Sequence, residues 1–304
     1  MSRVLGPNSQ HAAVSQKTRS GIQVFARLLK KVDENVLTRI DQNFERSSDR
    51  VSDTTPMFAI FKKELRSYFI NAIGYVYVGV FLAVAALLCC YTTLGSQSYD
   101  TSTYFSMMMF SFIILIPLLT MKLFSEEKKL RTEQLLMTAP VSIIGMIMGK
   151  FFAAFTLFVS SVLVSCINFF PLYSYANAER LGSTYAEDHV GPVTAEIVTC
   201  VLGLILVGAA FIAIGLFISS LTENQLAAAI ITVAIILGML VLGLVNEFIE
   251  VYAIRFVIDW ICVLSRFSYF TTGILDYASI LYYISITAVF LLLTVRVYDK
   301  RRWG

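Results

Sequence analysis

Charge is scarce in this chain. Of 304 residues, 24 are Lys or Arg and 21 are Asp or Glu, 15% together against 57% hydrophobic residues. With a mean hydropathy of +0.72, that excludes an ordinary soluble enzyme, in which roughly a quarter of the residues are charged. Histidine is nearly missing. His11 and His189 stand alone, neither with partners at zinc-ligand spacing, and Glu187, Asp188 and His189 are neighbours on one loop rather than a rigid site. No Gly-x-Ser-x-Gly nucleophile motif is present. Gly145, Gly149 and Lys150 approach a phosphate-binding loop, but the spacing is one residue short and Phe151 stands where a Mg²⁺-binding Ser or Thr is required. No catalytic, cofactor-binding or metal-binding residue is therefore expected. The two glycines are better suited to a small-xxx-small helix contact, with Lys150 snorkelling to the surface. Cys89, Cys90, Cys166, Cys200 and Cys262 lie in or beside apolar segments. That is the placement of small packing residues, not of a disulfide framework.

What the chain does have is long uncharged runs, and a helix crossing about 30 Å of hydrocarbon needs about 20 such residues. Six runs qualify: 67–99, 101–121, 151–178, 197–222, 224–246 and 277–295. They are continuously apolar rather than alternating, which favours helices over a barrel, so an all-α membrane fold with six transmembrane helices is expected. No apolar run with a cleavage site precedes them, so the first span should be retained. Lys and Arg crowd one set of loops: twelve, from Lys62 to Arg302, against Arg180, Arg255 and Arg266 on the other side. By the positive-inside rule both termini and the loop between spans two and three are cytoplasmic. The net charge of +3 is then a topology signal, and no nucleic-acid partner is implied.

Residues 1–56 form a polar extension with one amphipathic stripe: Ile22, Phe25, Leu29, Val32, Val36, Ile40 and Phe44. The stripe suits a helix on the membrane surface, a helix paired with a partner, or a poorly ordered segment, and Met57 is an alternative start. In the next stretch Phe58, Phe61, Leu65, Tyr68 and Phe69 line one face, with Lys62, Lys63, Glu64 and Arg66 opposite. This pattern predicts an interfacial helix on the inner leaflet, its bases against anionic lipid. Between spans five and six, 247–276 is too apolar for a free loop and too charged to cross. Short re-entrant helices before the last span are expected there.

The loop 124–150 combines dense charge with an embedded apolar motif. Leu130, Gln134, Leu135, Met137 and Thr138 suit a short amphipathic helix that Pro140 ends. Its string Glu126-Glu127-Lys128, Thr132, Leu135-Leu136, Thr138-Ala139-Pro140-Val141-Ser142 and Gly149-Lys150 resembles the cytoplasmic loop of permease subunits of ABC exporters of the second export class (ABC-2 type). The likeness is nearest to the gliding-motility-associated permease group. FKKELRSYF with Gly74 and Tyr75, and the tail from Arg266 to Trp303, agree with that family, and the likeness covers 57–304. One departure stands out: relatives commonly carry Gly-Thr and then glutamate where this chain has Arg131-Thr132-Glu133-Gln134.

The resemblance implies a coupling helix between spans two and three. It also implies a second permease subunit, as a homo- or heterodimer, and cytoplasmic ATP-binding subunits that hold the ATP and Mg²⁺. This chain would then be the translocation path in the plasma (inner) membrane and not itself an enzyme. The residues expected to face the ATPase are Glu126, Glu127, Arg131, Thr132, Glu133, Leu135, Leu136, Thr138 and Pro140. Two other readings remain open. One is a non-transporting membrane scaffold that recruits an ATPase complex; the other is an ion-coupled carrier, which the scarcity of intramembrane charge opposes.

Overall fold

The computed structural model describes residues 56–70, 72–95, 99–129, 131, 142–182, 192–246 and 262–303, all within one unit, Pro56–Gly304. The stripe at 22–44, most of the expected coupling helix at 132–141, and 247–261 lie outside the described residues. Ten α-helices and no strand occur among the described residues. They are α1 Pro56–Ile70, α2 Ala72–Cys89, α3 Ser102–Thr120, α4 Ser125–Lys129, α5 Ile143–Ser165, α6 Phe170–Gly182, α7 Thr194–Leu221, α8 Gln225–Asn246, α9 Val263–Thr271 and α10 Tyr277–Trp303. Six stretches are long and apolar enough to cross a membrane: Ala72–Leu94, Ser102–Lys129, Ile143–Ala176, Thr194–Leu221, Gln225–Asn246 and Tyr277–Arg302, here spans one to six. The fold is all-α with six membrane-capable helices, as expected.

The boundaries differ from the uncharged runs, and each shift has a local cause. Residues 67–70 belong to α1 instead of span one. Glycine is required where α1 meets the start of α2, since a Cβ on Gly74 would stand 2.2 Å from the Tyr68 carbonyl oxygen. Span three starts at Ile143, well ahead of the run that begins at 151, because Lys150 is absorbed into the helix. Ser142 caps that helix by accepting the Gly145 N–H at 3.1 Å. α10 continues past 295 through Arg296, Lys300, Arg301 and Arg302, and the final basic turn complements the negative end of the helix dipole. At its other end, Asp276 accepts the Ala278 and Ser279 N–H groups and the Ser279 hydroxyl, at 3.2, 3.1 and 2.8 Å. These donors, the Ser279 hydroxyl foremost, hold the Asp276 carboxyl below the usual carboxylate range.

Span four is the hub. It packs on spans two, three, five and six and on α9, and two thirds of its most apolar stretch is buried, against about a fifth for span six. Helix α9, in the segment expected to re-enter, is held by polar bonds from two spans. Thr199 and Cys200 of span four donate to the Phe270 carbonyl at 3.0 and 3.3 Å, and the Tyr283 hydroxyl of span six donates to the Val263 carbonyl at 2.8 Å. Thr199 is roughly 8 Å along α7 from Thr194 at the helical rise per residue, so α9 sits beside the span and not beyond its end. All five cysteines are free thiols, and Cys89, Cys200 and Cys262 are buried.

Candidate functional site

Lys150 lies two turns into α5, with its ammonium only 1% exposed. It donates to Glu64 Oε1 of α1 at 2.9 Å and to the Leu123 carbonyl at 2.8 Å, and it stands 2.9 Å from Glu127 Oε1 of α4. The Phe124 ring, 5.1 Å from the nitrogen to its centroid, contributes a cation–π contact. Three segments far apart in sequence thus meet on one charge. Gly149 makes the approach possible: a Cβ there would be 3.0 Å from the Met57 carbonyl oxygen and 3.1 Å from Ile60 Cγ2, so α1 packs against bare helix backbone. Burying an ammonium costs several kcal/mol, which only well-placed acceptors offset. Two carboxylates and a carbonyl meet that condition. Lys63 lies 3.8 and 3.7 Å from the same carboxylates, but it is 62% exposed and adds little.

The end of span two has a second set of anchors. The Phe124 and Ser125 N–H groups both donate to Ser219 Oγ of α7, at 3.1 and 3.2 Å. The buried Lys128 ammonium bonds the Ser220 carbonyl, where the α7 dipole is negative. The Phe124 ring meets Tyr298 of span six at 4.8 Å between centroids, and the Tyr68 hydroxyl donates to the Leu119 carbonyl at 3.2 Å. Burial pushes the Tyr68 phenol well above its ordinary pKa, with Glu64 adding to the effect. Residues 119–128 are therefore fastened to α1, α5, α7 and α10. Just beyond, the Arg131 N–H donates to the Lys128 carbonyl at 3.0 Å, with φ at +55° and the side chain exposed. That left-handed closure of a helix end is ordinarily taken by glycine.

A family model for ABC-2 family transporter proteins matches residues 61–240, more than half of the chain. The chain belongs to this family. Its members are membrane components of transporters, not themselves catalytic, and generally work with a cytoplasmic ATP-binding subunit. This ABC-2 transporter chain is accordingly a multi-pass membrane protein. No curated protein matches it. Glu64, Glu127 and Lys150 all fall inside the matched region.

Of the residues expected to face an ATPase, Thr132, Glu133, Leu135, Leu136, Thr138 and Pro140 lie outside the described residues. Arg131 is exposed and Glu126 is 39% exposed, paired with Lys122 at 3.8 Å. Glu127 differs from expectation: it is 17% exposed and turned inward onto Lys150. On α1, Lys62, Lys63 and Arg66 are exposed. The apolar stripe, however, divides. Phe58 and Phe69 point outward, 54% and 45% exposed, Phe61 and Leu65 are half-buried, and Tyr68 is buried at 8%. The face that packs inward is Ile60, Glu64 and Tyr68, spaced by four, so Glu64 leaves the polar face because its partner Lys150 is inside. Lys150 does not snorkel, for the same reason. Sequence reading missed this junction although a signal was present: Lys150 interrupts a stretch that is apolar on both sides, and Glu64 is the one acid among the bases of α1.

Proposed function

We propose that this ABC-2 transporter chain is the permease subunit of an ATP-driven exporter, forming the translocation path with a second permease subunit. Both termini and the loop between spans two and three face the cytoplasm, and the protein sits in the plasma (inner) membrane. The bias of Lys and Arg toward the end of the bundle that carries α1, the close of span two and Trp303 supports this orientation. A separate cytoplasmic ATP-binding subunit holds ATP and Mg²⁺ and docks on 126–140, with Leu135 and Leu136 as apolar anchors and Arg131 and Glu133 setting register. Thr132 and Thr138 line the same helix, and Pro140 stops it. Helix α1 lies at the inner leaflet, with Phe58 and Phe69 toward lipid and Lys62, Lys63 and Arg66 toward headgroups. The likeness to the gliding-motility-associated group rests on the loop and tail motifs.

The observation that carries the reading is the anchoring of 119–128 to four other helices, immediately followed by an exposed residue in a backbone conformation that disfavours a side chain. A docking loop needs such a rigid base, and backbone strain tends to be kept where the side chain is used. Replacing both Leu135 and Leu136 by Asp touches no span, so the protein should insert normally yet lose association with the ATP-binding subunit. Retention of that subunit by the double variant, with normal ATP-dependent transport, would remove the loop from the interface.

A further inference from the structure

Glu64, Glu127 and Lys150 join elements that differ in what they lead to. α4 leads toward the residues after Lys129, α1 precedes span one and packs against it where Gly74 meets the Tyr68 carbonyl, and α5 is the start of span three. A buried ion cluster is seldom a source of stability, since well-packed apolar residues of like volume serve as well or better. What a charge-assisted bond adds is direction: it holds two groups at one distance and one angle. Here one ammonium, 1% exposed, holds both carboxylates at 2.9 Å. The helix beneath it offers α1 a glycine, so the contact between α1 and α5 is close to backbone on backbone.

We propose that Lys150 is a positioning residue for coupling: it clamps Glu64 of α1 to Glu127 of α4, so that a push on the loop after Lys129 moves α4, α1 and the start of span three as one body. The proposal rests on the reading that an ATP-binding subunit docks on 126–140. Displacement of α1 is carried through the Tyr68–Gly74 contact into span one, and displacement of α5 is displacement of span three. The stroke therefore reaches two spans together instead of bending the end of span two alone. The bonds from Phe124, Ser125 and Lys128 to the end of α7 provide the fulcrum on the best-buried span.

The test is pulsed electron paramagnetic resonance on the full chain in lipid nanodiscs, with the native cysteines replaced. Spin labels sit at two pairs of exposed positions, Lys62 with Lys129 and Lys129 with Leu244, measured with and without bound ATP-binding subunit and trapped ATP. Across the clamp, the Lys62–Lys129 distance should be a single narrow distribution that nucleotide does not move, while Lys129–Leu244 shifts. In the variant Lys150→Met/Glu64→Gln/Glu127→Gln, which leaves no uncompensated charge, Lys129–Leu244 should still shift and Lys62–Lys129 should broaden or split. Glu64→Gln alone keeps Lys150 on Glu127 and Leu123, and should broaden Lys62–Lys129 in the same direction. An unchanged narrow Lys62–Lys129 distribution in both variants overturns the clamp. If no ATP-binding subunit binds the wild-type chain, the docking reading fails, and the same comparison of widths on the chain alone still decides the clamp.

Discussion

Replacing Lys150 by Met keeps the length of the side chain and removes one charge from a closed site. The two carboxylate oxygens that shared the ammonium, each 2.9 Å from it, then face each other at no more than about 6 Å. Their repulsion at an effective dielectric constant near 20 is about 3 kcal/mol. Removing one partner from a buried ion pair costs about 3–5 kcal/mol by analogy with other proteins, a figure that already contains most of that repulsion. Each kcal/mol moves the melting temperature of a domain of this size by about 2–4 °C. The single variant should therefore melt about 10 °C below the wild type when unfolding in detergent is followed by loss of the size-exclusion peak on heating. Adding Glu64→Gln and Glu127→Gln removes the repulsion and should restore most of the deficit. A single variant that melts with the wild type, or a triple variant no better than the single, would show that Lys150 and the two carboxylates are not a buried ion cluster, and the reasoning would be refuted.

Two further outcomes follow from the same region. Arg131→Gly should raise stability by about 1 kcal/mol, because relief of a left-handed non-glycine residue is worth about 1–2 kcal/mol and the added freedom of the unfolded chain takes back about half. The same variant should weaken binding of the ATP-binding subunit, so a thermal shift upward together with a poorer pull-down is the expected signature. For topology, a cysteine at exposed Lys129 should react with an impermeant reagent only after cells are opened, while one at Tyr175, exposed at the other end of span three, should react in intact cells. The reverse pattern would invert the orientation.

The spans were legible because a run without charge longer than the hydrocarbon core is thick has few alternatives to a membrane helix. The same criterion misplaced the start of span three, since counting charges treats Lys150 as a boundary and cannot see that Glu64, 86 positions away, and Glu127 neutralise it. The face of α1 was misread for a related reason. Periodicity sorts residues by polarity, and an inward Glu64 violates that sorting when its partner is itself buried. Gly74 was readable as a motif, but its reason, the Tyr68 carbonyl 2.2 Å from where a Cβ would be, is a property of how α1 packs against span one. Arg131 is the opposite case. The resemblance implied a glycine at this place, and the positive φ of Arg131 gives that expectation a physical reason.

The most direct test of the central claim is purification of the full-length chain from its native membranes in mild detergent, followed by assay of ATP hydrolysis on the isolated material. A permease subunit that works through the loop 126–140 should bring with it, in stoichiometric amount, an ATP-binding subunit whose hydrolysis is lost from the preparation when Leu135 and Leu136 are Asp. Isolation of an intact, folded chain with neither a nucleotide-binding partner nor ATP hydrolysis would contradict it.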